Sequence, residues 1–229
     1  MKRLIAVLTL LSLLCCGLCV PALAEEAEPL QFTDVSETAW YAEAVDYATA
    51  NGLMQGVGND RFDPNGLTSR AMVVTVLWRH NGAPAREFDG TFFLDLDADT
   101  WYSEAAEWAF VTEVVDGIPI DRPGWDDAPT GFSVNFAAER SITREQLAAI
   151  LFRYANYLEA DVTARAELSA FSDAASVSTW AEAAMQWCVA EGIIQGSSDN
   201  GALRLAPQDC ATRAQVAAIL MRFCETIKA

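Results

Sequence analysis

The 229-residue chain holds 32 acidic against 15 basic residues, a formal net charge of -17, with 52% hydrophobic residues and one histidine. Nucleic acid is thereby excluded as a natural partner, because gripping a phosphate backbone needs a basic face; an acidic balance instead favours solubility and self-repulsion. His80 stands alone, and no Gly-x-Ser-x-Gly or His-Glu metal pair occurs, so the material for catalysis is thin and the chain is read as non-enzymatic, with no cofactor and no metal.

The start reads as an export signal: Lys2-Arg3, an apolar run from Leu4 to Val20, then Ala22-Leu23-Ala24. A charged head, a short apolar core and an A-x-A site predict a signal peptide over 1–24, removed after Ala24. An uncleaved anchor fits less well, since the run barely reaches spanning length. Cleavage would take Lys2 and Arg3 and no acid, moving the charge from -17 to -19 and leaving Lys228 as the only lysine. Residues 25–30 follow as an acidic leader. Of the cysteines, Cys188, Cys210 and Cys224 would remain; an odd number in this spacing matches no disulfide framework or zinc pattern. Cys188 stands where Ala48 and Ala109 stand, which suggests a small buried residue, and a Cys188–Cys224 bridge is an open option.

A two-part pattern then occurs three times. Its openings are Phe32-Thr33-Asp34 with Trp40, Phe93-Leu94-Asp95 with Trp101, and Phe171-Ser172-Asp173 with Trp180, and a glycine follows each Trp sixteen positions on, at Gly56, Gly117 and Gly196. Its second halves are Ser69-Arg70, Thr143-Arg144 and Thr212-Arg213, each arginine eight residues beyond an apolar anchor at Phe62, Phe136 or Leu205. The repeats are assigned to 31–83, 91–160 and 169–227. A unit of this length is one supersecondary element that buries its apolar face against its neighbours.

In each unit a first helix is predicted from the spacing Trp40/Ala44/Ala48, Trp101/Ala105/Ala109 and Trp180/Ala184/Cys188, one apolar face at helical period with Glu43, Glu104 and Glu182 opposite. Gly52 and Gly192 end it, with Glu113 in that place in the second unit. A second helix follows, apolar at Met72, Val73, Val76 and Leu77, and likewise from Leu147 and from Val216. Between them the glycine-to-anchor span is six, nineteen and nine residues, so the second unit carries an insertion at about 118–131, including Trp125, read as a short hairpin or an irregular flap. The expected fold is all-α, three helix-loop-helix repeats.

Ser69, Thr143 and Thr212 are placed as helix N-caps, and Gln146 and Gln215 complete a capping box that Met72 cannot. The arginines lack so local a reason. Arg70, Arg144 and Arg213 occupy the first helical position, where backbone N–H groups already carry partial positive charge. Two readings stay open: an internal salt bridge to Asp34, Asp95 or Asp173, or a receptor in which N–H groups and guanidinium hold an anion.

These motifs resemble the S-layer homology domain. Phe32-Thr33-Asp34-Val35 leading to Trp40 is similar to that family's start, Phe62-Asp63-Pro64-Asn65 to its Phe-Pro turn, and Ile142-Thr143-Arg144 and Ala211-Thr212-Arg213 to its Thr-Arg signature. The resemblance implies a pseudo-threefold bundle with ligand grooves between repeats, and an exported module that binds a secondary cell-wall polysaccharide, often pyruvylated, at the cell surface. It maps the binding function to Arg70, Arg144 and Arg213 and the hydroxyls of Ser69, Thr143 and Thr212, with Trp40, Trp101 and Trp180 structural or flanking the sugar. The acidic signature position is Met72, Gln146 and Gln215 here, and the second unit lacks the proline and the helix-ending glycine, which ranks copies one and three above two. A helical-repeat surface protein that binds a protein or peptide partner is the alternative. A calcium loop from Asp95 to Asp99 fits worse, with Thr100 for its glycine and Ala106 for its last glutamate.

Overall fold

A hydroxyl side chain in extended conformation starts each long helix. Ser69, Thr143 and Thr212 all have φ near -80° and accept from the backbone N–H three residues on; Gln146 and Gln215 return the bond, and Met72 does not. The computed structural model describes residues 32–85, 92–119, 134–199 and 201–227. The expected signal peptide and leader, and the insertion beyond Pro119 with Trp125, lie outside them.

Six helices carry the described chain: α1 Ala42–Ala50, α2 Arg70–His80, α3 Ser103–Val111, α4 Arg144–Tyr157, α5 Glu182–Ala190 and α6 Arg213–Thr226. The long helix of one pair lies against the short helix of the next: α2 packs on α3, α4 on α5, and α6 on α1. Ala44, Ala48, Ala105, Ala109, Ala184 and Cys188 are buried at those contacts, where small side chains let helices approach, and Leu77, Leu147, Leu151, Tyr154, Leu220 and Phe223 fill the centre. The structure is mostly helical as expected, with two antiparallel ribbons added: β1 Ile118–Pro119 with β2 Val134–Asn135, and β3 Ser197–Asp199 with β4 Ala202–Arg204. A tighter version spans Gly58 to Arg61, turning through Asn59 and Asp60, both at φ 51°. The unequal glycine-to-anchor spans are therefore one turn device at three lengths.

The opening motif clamps that turn. Thr33, Leu94 and Ser172 donate their N–H to the carbonyls of Asp60, Val134 and Leu203 at 2.8–3.1 Å. Asp34, Asp95 and Asp173 each accept the N–H groups of the anchor and the residue after it, at 2.6–2.9 Å. That second residue, Asp63, Ala137 or Ala206, is left-handed at φ 50–58°, a conformation L-residues hold at a cost of about 1 kcal/mol and one the carboxylate supports. Of the two readings open for Arg70, Arg144 and Arg213, the salt bridge to these aspartates is not formed; Arg61 and Arg204, beside the anchors, pair with Asp34 and Asp173 instead. Asp95 has Asn135 in that place and makes the two N–H bonds without an arginine ion pair among the described residues.

Gly56 and Gly196 follow from the same clamp. A Cβ would stand 2.7 Å from the ring of Phe32 or Phe171 and 2.8 Å from the carbonyl of Arg61 or Arg204. Glu113 stops α3 in the left-handed turn, φ 59°, that Gly52 and Gly192 make at 67° and 69°.

At the centre the segments before the long helices close a cycle. Thr68 N–H donates to Ala211 carbonyl, Ala211 N–H to Ile142, and Ile142 N–H to Thr68, at 2.9–3.1 Å. The first two N–H groups of each long helix run in the opposite sense: Arg70 and Ala71 reach Arg140 and Ala138, Arg144 and Glu145 reach Asp209 and Pro207, Arg213 and Ala214 reach Gly66 and Pro64, at 2.8–3.1 Å. His80, at the end of α2, ties to the Tyr154 hydroxyl of α4 at 2.7 Å.

One expectation needs correction. The tryptophans do not extend the buried alanine stripe: Trp40, Trp101 and Trp180 are 65%, 58% and 58% exposed. They precede the α-helices, and the turn they occupy directs the rings outward, Trp40 edge-on to Tyr41 and Trp101 edge-on to Tyr102. Cys188 is the small buried residue expected, beneath the Ala148 carbonyl, and the optional bridge to Cys224 is not formed; Cys224 is a free thiol beside the Tyr47 hydroxyl. Burial pushes the Cys188 thiol up strongly and that of Cys224 to about 11.

Replacing Gly56 with Ala should destabilise by about 1–3 kcal/mol through overpacking alone, and Gly196→Ala by more, because its φ of 76° adds backbone strain; urea unfolding measures both. Burial opposes ionisation of Asp173, but the N–H groups of Leu205 and Ala206 outweigh it and lower its pKa. Its contribution is therefore complete above its unfolded value near 3.8 and is lost as pH falls through the lower folded value. Asp173→Asn, which cannot accept both bonds, should cost about 2 kcal/mol at pH 7, and the gap to the parent should close in melts below that pH.

Candidate functional site

Each signature arginine crosses to the next helix pair and bonds the carbonyl of that pair's anchor. Arg70 Nε donates to Phe136 at 2.9 Å, Arg144 Nε to Leu205 at 2.7 Å, and Arg213 Nε to Phe62 at 2.7 Å. A second branch reaches the residue before the motif glycine: Arg70 Nη2 to the Asp116 carbonyl at 3.1 Å and Arg213 Nη2 to that of Gln55 at 2.6 Å. Arg70 and Arg213 also lie over the rings of Phe136 and Phe62 at 5.4 and 4.6 Å. The residue types are explained by reach: a planar fork holds two carbonyls at once, which an ammonium on a flexible stem does not.

All three arginines are 6–8% exposed, and none has a carboxylate in ion-pair contact among the described residues. Burial lowers their pKa values, that of Arg70 to about 10, with like charge from Arg140 and Arg153 adding and Asp116 and Asp95 opposing. For Arg144 burial is opposed by Asp209 and Asp173, and for Arg213 by Asp63 and Asp34. These guanidiniums stay charged at neutral pH, so each is there a fixed positive charge held by carbonyl dipoles rather than by an anion in contact.

Two of them floor grooves. Arg213 lies at the base of a cavity of about 220 Å³ walled by α2, by residues 53–57 and by Trp101 of the following pair, with Arg79 at its rim. Arg144 lies at the base of one of about 280 Å³ walled by α6, by residues 194–197 and by Trp40, with Arg222 at its rim. Each groove thus draws on three parts of the chain, and the arginine and tryptophan come from opposite neighbours. In the first groove Thr68 and Thr75 present hydroxyls that are 2% exposed and have no hydrogen-bond partner; the corresponding residues of the other long helices are Ile142 and Ala211, and Ala149 and Ala218.

The N–H half of the expected anion receptor is not available. The first two N–H groups of α2, α4 and α6 go to carbonyls of the next pair, and the third goes to the cap. Ser69, Thr143 and Thr212 are accordingly capping residues, and Trp180 is exposed on the surface.

A second arginine set escaped the sequence reading. Arg79, Arg153 and Arg222 lie nine residues after Arg70, Arg144 and Arg213, and the fixed offset was a readable signal. In the middle position Arg153 pairs with the Asp116 carboxylate, side chains 36% and 71% exposed. Gln55 and Gln195 occupy the place of Asp116 before Gly56 and Gly196.

The S-layer homology domain pattern matches residues 31–71 and 170–217. A Surface-layer 125 kDa protein of Lysinibacillus sphaericus is 30% identical over 93% of this chain and 16% of its own length. An Amylopullulanase of Thermoanaerobacterium thermosulfurigenes is 26% identical over 82% of this chain and 9% of its own. Exoglucanase XynX of Acetivibrio thermocellus is 24% identical over 82% of this chain and 16% of its own. The chain therefore spans less than a fifth of each of these relatives, enzymes included.

Because Arg213 is built into the fold and Arg79 is not, the two should separate in unfolding experiments. Arg213→Ala orphans two carbonyls and should lose about 2 kcal/mol or more, whereas Arg79→Ala should stay within about 0.5 kcal/mol of the parent. Equal losses in urea titrations would contradict this division.

Proposed function

Because this chain carries S-layer homology domains, matched at residues 31–71 and 170–217, we propose that it is a non-catalytic module at the cell surface that attaches to the wall by binding an anionic secondary polysaccharide. S-layer homology domains mediate cell-wall anchoring, and among the described residues no helix is long and apolar enough to cross a membrane. The finer reading is a pseudo-threefold arrangement of three repeats, over 31–83, 91–160 and 169–227, with the polymer in the grooves between them.

The observation that carries it is the repeated set of a buried guanidinium without a carboxylate, a rim arginine and an exposed tryptophan, at Arg213, Arg79 and Trp101 and again at Arg144, Arg222 and Trp40. A sugar ring laid on the indole face brings a ring-borne carboxylate, such as a pyruvate ketal, between two arginines, one of them desolvated and so strongly interacting. The body of the protein is acidic, -17 overall, and repels an anionic polymer, so these local charges decide where it is held.

Mature protein should sediment with purified wall sacculi and fail to do so with sacculi stripped of secondary polysaccharide. Arg79→Ala with Arg222→Ala, and separately Trp40→Ala with Trp101→Ala, should each weaken retention at least tenfold while leaving the melting temperature near that of the parent. Equal retention on stripped and unstripped walls overturns the proposal.

A further inference from the structure

At the middle position, where Asp116 and Arg153 line a cavity of about 730 Å³, one residue already supplies the carboxylate that a ligand would bring. Asp116 holds Arg70 through its carbonyl at 3.1 Å and Arg153 through its carboxylate. Gln55 holds Arg213 in the same way through its carbonyl, but its side chain is neutral, and Gln195 is neutral at the third position. Among the described residues Arg79 has no ion pair, and Arg222 makes only a 3.5 Å bond to the Ile193 carbonyl. The Asp116–Arg153 pair is too exposed to matter much for stability, since such pairs sit at the low end of surface ion pairs. Its consequence is local: a carboxylate attached to the groove wall competes for the rim guanidinium at the effective concentration of an intramolecular partner, millimolar or above.

We infer that Asp116 is a built-in occupant that stands in for the ligand carboxylate at Arg153, so that the protein binds two anionic sugar residues rather than three. The inference rests on the function proposed above. It also places the weak site beside Arg70, the arginine of the first copy, since each arginine serves the next pair and Arg70 bonds the Asp116 carbonyl.

Titration calorimetry with a monovalent methyl glycoside bearing a 4,6-pyruvate ketal tests it. The parent should bind two molecules, Asp116→Asn three, and Asp116→Asn with Arg153→Ala two again, all with unchanged melting temperature. Arg79→Ala with Arg222→Ala should bind none, and adding Asp116→Asn to that pair should restore one site. Three sites in the parent, or two in Asp116→Asn, overturns the inference while leaving the proposed function intact. No binding by any variant or the parent removes the proposed function and the inference with it.

Discussion

Three backbone hydrogen bonds at the centre, from Thr68 to Ala211, from Ala211 to Ile142 and from Ile142 back to Thr68, hold the remaining structure in place. Each N–H is buried beside an apolar core and would be costly unpaired. The partners lie far apart along the chain, so the cycle closes only when all three helix pairs are present. Once closed, it sets the ends of α2, α4 and α6 against the turns of the following pair, and the next two N–H groups of each helix and then its arginine find carbonyls there. An open solenoid adds or loses terminal repeats at modest cost. A closed ring does not, because removing one member orphans donors and acceptors on both neighbours.

The arginines show why such a ring can carry function. Burying a guanidinium without a counter-ion is expensive, and carbonyl dipoles repay only part of it, as the lowered pKa values of Arg70, Arg144 and Arg213 show. A purely structural joint could have used a neutral donor. What the fold retains instead is a rigid positive charge at the foot of a groove, aimed by two hydrogen bonds in the case of Arg213 and needing no rearrangement when an anion arrives. Preorganisation of this kind lowers the cost of binding.

Most of the local structure was legible in the sequence. Cap, arginine and apolar stripe mark the three long helices with their starting residues, and the Phe-x-Asp opening marks a repeated geometry whose glycine is explained at Gly56 and Gly196 by the Phe ring it must clear. The direction of contact was not legible. Spacing within a unit puts Arg70 eight residues from Phe62, while ring closure puts it on Phe136; only the three-dimensional cycle distinguishes the two. The tryptophans were misread because the helical period runs two residues upstream of the helix itself, and a pattern does not mark where regular backbone begins. Arg79, Arg153 and Arg222 were readable by offset alone, but they fall at the polar edge of an apolar helix, where a long cation is the ordinary choice for a solvated face.

The unequal grooves give the repetition a further meaning. A wall polymer presents the same residue many times, so two weak sites on one rigid body gain from linkage by the effective concentration that the body imposes. Going from one site to two changes a transient contact into retention, whereas going from two to three adds a smaller increment of the same kind and slows release further. A carboxylate at position 116 then sets valence without disturbing the ring, because its main-chain carbonyl still serves Arg70 while its side chain occupies Arg153. Structural and binding duties are thus divided between the main chain and the side chain of one residue, and the second can change in evolution while the first is kept.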